Sequence, residues 1–195
     1  YDKFKLNFST NYTLEDNFLP GSDLAYSAIS LAPNAPALYD ESGNLNWEEG
    51  TWDNPLAQFE NKYRNKSHSL FSSLSLAYQL TEDLNLKLNS GYTITRLKDH
   101  VTAPHTAFNP AWGLTSANSM VTTNEGNKNT WSVEPQLNWE KRWQSGVLKI
   151  LLGSTFQKQQ FDQYGLYGIG FPTNSFITNL SAATTIQVNN EVSTQ

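Results

Sequence analysis

Histidines and carboxylates are the side chains of this sequence that could do chemistry at a metal. Asp99, His100 and His105 lie close together in the chain and offer ligand types that zinc accepts. Their spacing is irregular and no third strong ligand is near, so we interpret the histidines as solvated loop residues. Residues 40–44 lack the spacing of a calcium-binding EF-hand loop, and they predict a turn. The sequence therefore predicts no metal site and no cofactor.

A group of carboxylates, Glu48, Glu49 and Asp53, flanks Trp52. Glycosidases need two carboxylates on either side of the substrate, about 5–5.5 or 6.5–9.5 Å apart. Neighbours in one loop do not meet that requirement by spacing alone. No nucleophile elbow and no phosphate-binding loop is present. We expect no catalytic residue, and the protein is predicted not to be an enzyme.

Three tryptophans, Trp47, Trp52 and Trp112, lie in segments that carry no strand pattern. Exposed aromatic rings can stack on sugar or peptide groups at a low cost in conformational entropy. The same rings could instead pack the loops against one another. The sequence predicts these three residues as candidate substrate contacts, and both interpretations stay open at this point.

Composition excludes several classes of protein. The chain has 195 residues, no cysteine and a net charge of -5, with no block of Lys or Arg. Disulfide frameworks, thiolate metal sites and cysteine nucleophiles are therefore excluded, and nucleic acid is not an expected partner. Charged residues make up only 16%. The mean hydropathy of -0.53 is compatible with strands in which apolar and polar residues alternate.

The strongest pattern in the sequence is alternation of apolar and polar residues with a period of two, which is typical of β-strands. Leu84, Leu86 and Leu88, for example, alternate with Asn85 and Lys87. Six segments share this pattern, and they cover residues 3–12, 67–80, 84–97, 130–142, 147–158 and, more weakly, 176–188.

The connections between these segments alternate between long and short. Thr81-Glu82-Asp83 and the residues around Gln144-Ser145-Gly146 predict tight hairpins. The other links, 13–66, 98–129 and 159–175, are long. Outer-membrane barrels have this asymmetry, with short periplasmic turns and long extracellular loops. We therefore predict an all-β fold, an antiparallel up-and-down meander that forms a segment of a transmembrane β-barrel.

Two further features agree with this fold. The polar strand faces are mostly Ser, Thr, Asn and Gln, which suits a wet barrel interior. Aromatic residues lie near strand ends or on apolar faces, where a girdle at the membrane interface is expected; they are Tyr78, Tyr92, Trp131, Trp139 and Trp143.

In the first long link, residues 22–31 predict a short helix that Ser22 or Asp23 caps and that ends before Pro33.

Part of the sequence resembles a known family. The segment LAPNAPALYDESGNLNW (31–47), the following Asn54-Pro55-Leu56-Ala57 and the basic, Asn-rich residues 61–66 are similar to the first extracellular loop region of SusC/RagA-type TonB-linked outer-membrane receptors. The hairpin at 74–96 also fits that family's pattern. The resemblance covers about residues 1–100.

The resemblance implies a function and a set of partners. Members import nutrients such as glycan fragments or peptides through a TonB-dependent barrel, under a SusD-like surface lipoprotein. The resemblance therefore implies a location in the bacterial outer membrane, contact with its lipid, and an oligosaccharide or peptide substrate. The ends, YDKFKLNF and VNNEVSTQ, predict that residues 1–195 are a partial barrel of about six strands.

Two consequences remain to be tested. The alternative function is a soluble β-sandwich module that binds carbohydrate, in which a second sheet would cover the apolar strand faces. An isolated barrel segment would instead expose those faces, so we expect it to self-associate or to curl around its own helix at 22–31.

Overall fold

A computed structural model describes residues 3–194 of the chain, and these residues form a single antiparallel sheet. One α-helix is present, α1 (Ala25–Ser30). The strands are β1 (Phe4–Pro20), β2 (Lys62–Gln79), β3 (Leu84–Ala103), β4 (Met120–Trp143), β5 (Gly146–Gly153), β6 (Phe156–Ile169) and β7 (Thr185–Thr194). Short 3₁₀ turns occupy Glu48–Gly50, Pro55–Glu60, His105–Ala107, Pro110–Trp112, Ser116–Asn118, Asn174–Phe176 and Leu180–Ala182.

The sheet is an up-and-down meander with the order β1-β2-β3-β4-β6-β7, and β5 also pairs with β4. This confirms the predicted all-β, antiparallel fold. Strands that follow each other in the chain lie beside each other in the sheet, so the tight turns all lie at one end and the long connections at the other. The two-sheet packing that a sandwich requires is not formed by residues 3–194.

A proline explains why one predicted strand, 147–158, is divided into β5 and β6. Both strands pair with β4 in one continuous register, in which Gln136 lies opposite Gly153 and Val133 opposite Phe156. The break falls opposite Pro135, whose carbonyl accepts a hydrogen bond from the Ser154 N–H at 3.2 Å. Proline has no N–H to return, so the ladder is interrupted there. The sheet has six strand positions but seven strands.

The strands are longer than predicted, and the long connections are correspondingly shorter. The predicted links 13–66, 98–129 and 159–175 are wrong in their bounds, because the connections span 21–61, 104–119 and 170–184. Missed segments such as 62–66 and 122–129 are mostly polar on both faces, so alternation disappears there although pairing continues, whereas Leu14, Phe18 and Tyr164 extend the apolar face beyond the predicted strand ends. The predicted sixth strand, 176–188, was placed too early, because 3₁₀ turns occupy its first half and β7 begins at Thr185.

Each strand contributes its alternate residues to one apolar face, as the alternation predicted. The register places Leu6 opposite Leu76 and Leu76 opposite Leu88. On the polar face, the hydroxyls of Ser9 and Ser73 share a hydrogen bond of 3.3 Å. Every position of β1 is exposed on both faces. Among the described strands, Val121 near the loop end of β4 is the one residue in the hydrophobic core, and the rest of the sheet contributes none.

The predicted helix is present but shorter than expected, and it does not cover the apolar face. The Asp23 carboxylate accepts a hydrogen bond from the Ala25 N–H at 2.8 Å, just before α1 begins. The helix has no buried residue, and Ile29 is 87% exposed. The suggestion that the chain curls around this helix is therefore wrong.

Within residues 3–194, no helix is both long enough and apolar enough to cross a membrane.

Candidate substrate-binding loops

The three long connections, 21–61, 104–119 and 170–184, meet at one end of the sheet and pack against each other. We call them together the loop cap. The cap and the strand ends beneath it hold the buried side chains of the described chain. They include four apolar residues, Ala57, Val121, Phe171 and Ile177, and four polar ones, Asn54, Thr102, Asn109 and Ser119.

A small apolar core joins the third connection to the sheet. Val121, Phe171 and Ile177 form a buried cluster against which Leu180 packs. Gly168 lies beneath this cluster, and a Cβ atom built there would be 2.5 Å from Leu180 Cδ1. The Ala183 Cβ would lie only 3.2 Å from the same atom, so the third connection packs closely on the strand at Gly168.

Asn54 organises the first connection. Its side chain is 3% exposed, and its amide donates hydrogen bonds to the carbonyls of Leu38 at 2.6 Å and Asn46 at 2.9 Å. Its Oδ1 atom accepts from the Leu56 N–H at 3.0 Å and so caps the 3₁₀ turn that begins at Pro55. Because every polar group of this side chain is satisfied, burial carries little penalty.

Asn109 repeats this arrangement between two connections. Its Oδ1 atom accepts from the Ala111 N–H at 3.0 Å, and proline again follows the asparagine. Its amide donates to the Gly50 carbonyl at 2.9 Å and to Asp53 Oδ1 at 3.1 Å, both in the first connection. The side chain is 3% exposed. Asn109 therefore fixes the first connection against the second.

Gly50 shows how closely these two connections approach. A Cβ atom built on Gly50 would lie 2.5 Å from the Ala111 Cβ. The φ angle of Gly50 is +88°, a backbone conformation that residues with a side chain adopt rarely. The backbone of Gly50 thus packs directly on the turn that carries Trp112.

The three predicted substrate contacts lie on these two docked connections. Trp47 and Trp52 are half-buried in the first connection. Trp112 is 58% exposed in the second, and its ring lies 5.9 Å from that of Phe108. Trp52 also lines an open groove of about 460 Å³ together with Tyr26, Ser27, Ser30, Leu31, Ala32, Asn34, Ala35, Pro36, Asp53 and Pro55. The fold thus presents aromatic rings on a rigid support, and the prediction that they contact a substrate remains a prediction.

Ser119 connects the second and third connections through a polar cluster that the sequence did not indicate. Ser119 is fully buried and donates a hydrogen bond to Asn174 Oδ1 at 2.8 Å. The Ser119 hydroxyl accepts from the His105 N–H at 2.8 Å, and His105 Nδ1 lies 3.0 Å from Asn174 Oδ1. A serine without solvent access cannot meet a substrate, so the cluster is structural. Asn174 is far from the other two residues in sequence, and no local pattern links them.

Asp40 forms the turn that the sequence predicted. The bridge between Tyr39 and Leu45 closes a small hairpin, and Gly43 takes the left-handed conformation within it. The Asp40 carboxylate accepts hydrogen bonds from the backbone N–H groups of Asn44 at 2.8 Å and Ser42 at 2.9 Å. These hydrogen bonds, that from Asn44 above all, hold the pKa of the Asp40 carboxyl below its usual value.

The remaining acidic and histidine residues do not converge. Asp99 accepts a hydrogen bond from Asn124 on the polar face of the sheet, whereas the neighbouring His100 belongs to the apolar face. His105 is engaged in the cluster with Ser119. Among residues 3–194, no group of three or more His, Asp or Glu side chains could hold a metal ion.

No protein-family model matches the chain, and no curated protein matches it.

Proposed function

We propose that this chain is part of the wall of an outer-membrane β-barrel, in a TonB-dependent nutrient importer of the SusC/RagA type. The loop cap lies on the extracellular side and contributes Trp47, Trp52 and Trp112 to the binding of an oligosaccharide or peptide. The role is binding and transport, without catalysis by this chain. The observation that carries the proposal is an apolar band of membrane height on one face of a sheet that nothing else covers.

The height of this band is best measured on β3. Apolar residues occupy most positions of the apolar face from Leu84 to Ile94, ten residues later, and Arg96 then follows on the same face. Ten residues of strand span roughly 33 Å at about 3.3 Å each. At the tilt of roughly 35–45° found in membrane barrels, this corresponds to about 23–27 Å, close to the ~25 Å of their apolar band.

Aromatic residues lie at both limits of the band. At the short-turn end, the rings of Trp139 and Trp143 pack edge to face with their centres 6.5 Å apart. At the loop end, Tyr92 lies directly opposite Trp131, and Tyr12 lies one step further. Aromatic girdles at the two interfaces of the bilayer have this arrangement, because their rings are apolar and their N–H or O–H groups are polar.

The exposure of the band supports a lipid environment. Phe8 and Leu152 are each 64% exposed, and Phe156 is 55% exposed. Contiguous apolar surface of this extent is rarely left in contact with water. The opposite face suits a wet interior, because Ser and Thr hydroxyls and Asn side chains bond to each other across the strands, as Ser75 does to Asn89 at 2.9 Å.

The edges of the sheet require further strands in the wall. β1 and β7 each pair on one side only in the described chain. Unpaired backbone groups in hydrocarbon cost several kcal/mol each, so a membrane sheet must close into a barrel. We propose that the remaining strands belong to the same importer, which works with a SusD-like surface lipoprotein and with TonB.

The resemblance to the SusC/RagA family gains support from how its motifs are used. The PNAP segment ends near Leu38, whose carbonyl accepts a hydrogen bond from Asn54. Asn54 begins the NPLA motif and also donates to the Asn46 carbonyl, so this motif is in contact with the segment 31–47. Two segments that define the resemblance thus form one structural unit that fixes the first connection.

Depth-dependent tryptophan quenching tests the membrane assignment. The six tryptophans divide into a strand group on the apolar face, Trp131, Trp139 and Trp143, and a loop group, Trp47, Trp52 and Trp112. We expect brominated lipid acyl chains to quench variants that keep one strand tryptophan, when the closed barrel that contains this chain is refolded into vesicles and its tryptophans outside this chain are replaced. Variants that keep one loop tryptophan should be quenched weakly. Equal quenching of both groups, or none in either, would refute the proposal.

Ligand binding tests the role of the loop cap. Trp52→Ala and Trp112→Ala should each weaken binding of a candidate oligosaccharide or peptide by about tenfold, since one lost aromatic contact removes roughly 1.4 kcal/mol. Trp143→Ala removes an aromatic ring of the same kind from the opposite end of the sheet and should leave affinity unchanged. Loss of affinity in all three variants would indicate general misfolding and remove support for these contacts.

A further inference from the structure

A cluster of four Lys and Arg side chains and two histidines follows the apolar band directly, on the same face of the sheet. On β3, Ile94 is followed at alternate positions by Arg96, Lys98 and His100. The residues directly opposite them on β2, which we describe as lying at the same levels, are His68, Lys66 and Arg64. We call these six residues the basic patch. It contains four of the chain's 13 Lys and Arg residues, although the net charge of the chain is -5.

The register of the sheet brings like charges together in this patch. Lys66 lies directly opposite Lys98, and the levels on either side pair His68 with Arg96 and Arg64 with His100. Like charges directly opposite each other on neighbouring strands are destabilising. A sequence that keeps Lys66 opposite Lys98, between two levels that each pair an arginine with a histidine, is consistent with an anion that binds between the strands.

Acidic neighbours neutralise only part of the patch. Asp16 on β1 binds Arg64 through two hydrogen bonds of 2.8 and 2.6 Å and lies 3.5 Å from Lys66. Glu125 on β4 forms an ion pair with Lys98. In the part of the chain that the structure describes, Arg96 has no ion pair. The patch therefore keeps a net positive charge, and Arg96 and Lys66 are its least neutralised members.

We infer that the basic patch binds the phosphate groups of lipid headgroups in the leaflet on the loop side of the membrane. The inference rests on the proposed function, because it places the band in the bilayer. The patch begins one step beyond Tyr92 and Ile94, where the hydrocarbon ends and the headgroups begin. A ligand that contacts the band and the patch together must have apolar chains and an anionic head, which describes a phosphorylated lipid and no soluble anion.

The chemistry of the patch fits a phosphate ester. Guanidinium groups bind phosphate oxygens through paired hydrogen bonds, and ammonium groups contribute a point charge. A cation near an anionic lipid surface contributes a factor of about five in affinity. Removing two cations should therefore reduce the preference for a phosphorylated lipid by about 25-fold.

The test compares two forms of one lipid. The closed barrel that contains this chain is reconstituted into phosphatidylcholine vesicles, and the retention of labelled diphosphorylated lipid A is measured against the same lipid after removal of its phosphates. We expect preferential retention of the phosphorylated form. Lys66→Gln combined with Arg96→Gln should lower that preference by about 25-fold, and this pair of substitutions leaves the ion pairs of Asp16 with Arg64 and of Glu125 with Lys98 intact.

Two controls distinguish the patch from general effects. Lys87→Gln combined with Lys128→Gln removes the same charge from the polar face and should not change the preference. Glu125→Gln adds net positive charge to the patch and should raise it, a gain that misfolding cannot produce. Equal retention of both lipids, or an equal loss in the polar-face control, would overturn the inference. Tryptophan quenching in the same vesicles would still report on the membrane assignment, so the two failures are distinguishable.

Discussion

The loop cap and the apolar band of the sheet lie in opposite physical environments. At the loop end, side chains such as Ser119 and Val121 are almost completely buried, and asparagines such as Asn54 and Asn109 satisfy the backbone of neighbouring loops. Along the apolar band, large side chains such as Phe8 remain mostly exposed. The side chains of the loop cap are thus buried by other parts of the chain, whereas the apolar face of the sheet is left in contact with its surroundings.

This difference separates two sources of stability. The loop cap is held by contacts within the chain, so substitutions there should act in any solvent. The sheet is held by its backbone ladder, and the burial of its apolar side chains depends on what lies against them. Substitutions in the cap can therefore be measured as local opening, whereas the effect of those in the band depends on what covers it.

The largest expected effect in the cap comes from Gly50→Ala. The added Cβ would meet Ala111 Cβ at 2.5 Å, and the positive φ of +88° would be strained. Overpacking and left-handed strain together cost about 3 kcal/mol. We expect limited proteolysis within 21–61 to accelerate by about a hundredfold, because cleavage follows the population of the opened loop.

Gly43 provides a matched control for this prediction. Its φ is +83°, similar to that of Gly50, but nothing lies within 4 Å of a Cβ built there. Gly43→Ala should cost only the backbone strain of about 1 kcal/mol. Ala111→Gly should partly rescue Gly50→Ala by removing the clashing atom. Equal effects of the two alanine substitutions would show that the connections are not docked as described.

Asn109→Ala should have the next largest effect. The substitution leaves the Gly50 carbonyl and the Ala111 N–H without their partner in a part-buried setting, which costs about 1–2 kcal/mol. The first and second connections should then open together, and hydrogen exchange would show faster exchange at both. Asn11→Ala, at an exposed position of β1, should change stability by less than about 0.5 kcal/mol.

The sheet could be predicted from the sequence, whereas most of the cap could not. The alternation of apolar and polar residues, as in Leu84-Asn85-Leu86, indicates which face of the sheet each residue occupies. The short turns indicate which strands are neighbours. The strand residues next to the loop cap, including Lys98 and Asp99, carry charge on both faces. The apolar-polar alternation therefore predicts a strand that ends too early. The division at Pro135 follows from a missing N–H and could have been anticipated from that residue alone.

The candidate site was only partly accessible to sequence reasoning. Trp47, Trp52 and Trp112 could be named as loop aromatics, but their common support could not, because it depends on Asn109 reaching a connection distant in sequence. The two Asn-Pro pairs, Asn54-Pro55 and Asn109-Pro110, were the available indication, since asparagine before proline favours the start of a turn. The partners of their amide groups are set by tertiary packing, which no local pattern specifies.

The smallest predicted effect concerns pH and is confined to the tip of the first connection. Because hydrogen bonds from Asn44 and Ser42 depress the pKa of Asp40 in the folded state, the carboxylate stabilises the turn fully above its unfolded value of 3.8. That contribution is lost as the pH falls through the lower folded pKa. We expect the Asn44 amide proton to titrate in NMR spectra with a midpoint below 3.8, and Asp40→Asn to remove this titration. A midpoint at or above the unfolded value would contradict the hydrogen-bonded turn. A pH-dependent change in the resonances of Asn109 would show that this turn and the docked base of the loop cap are not independent.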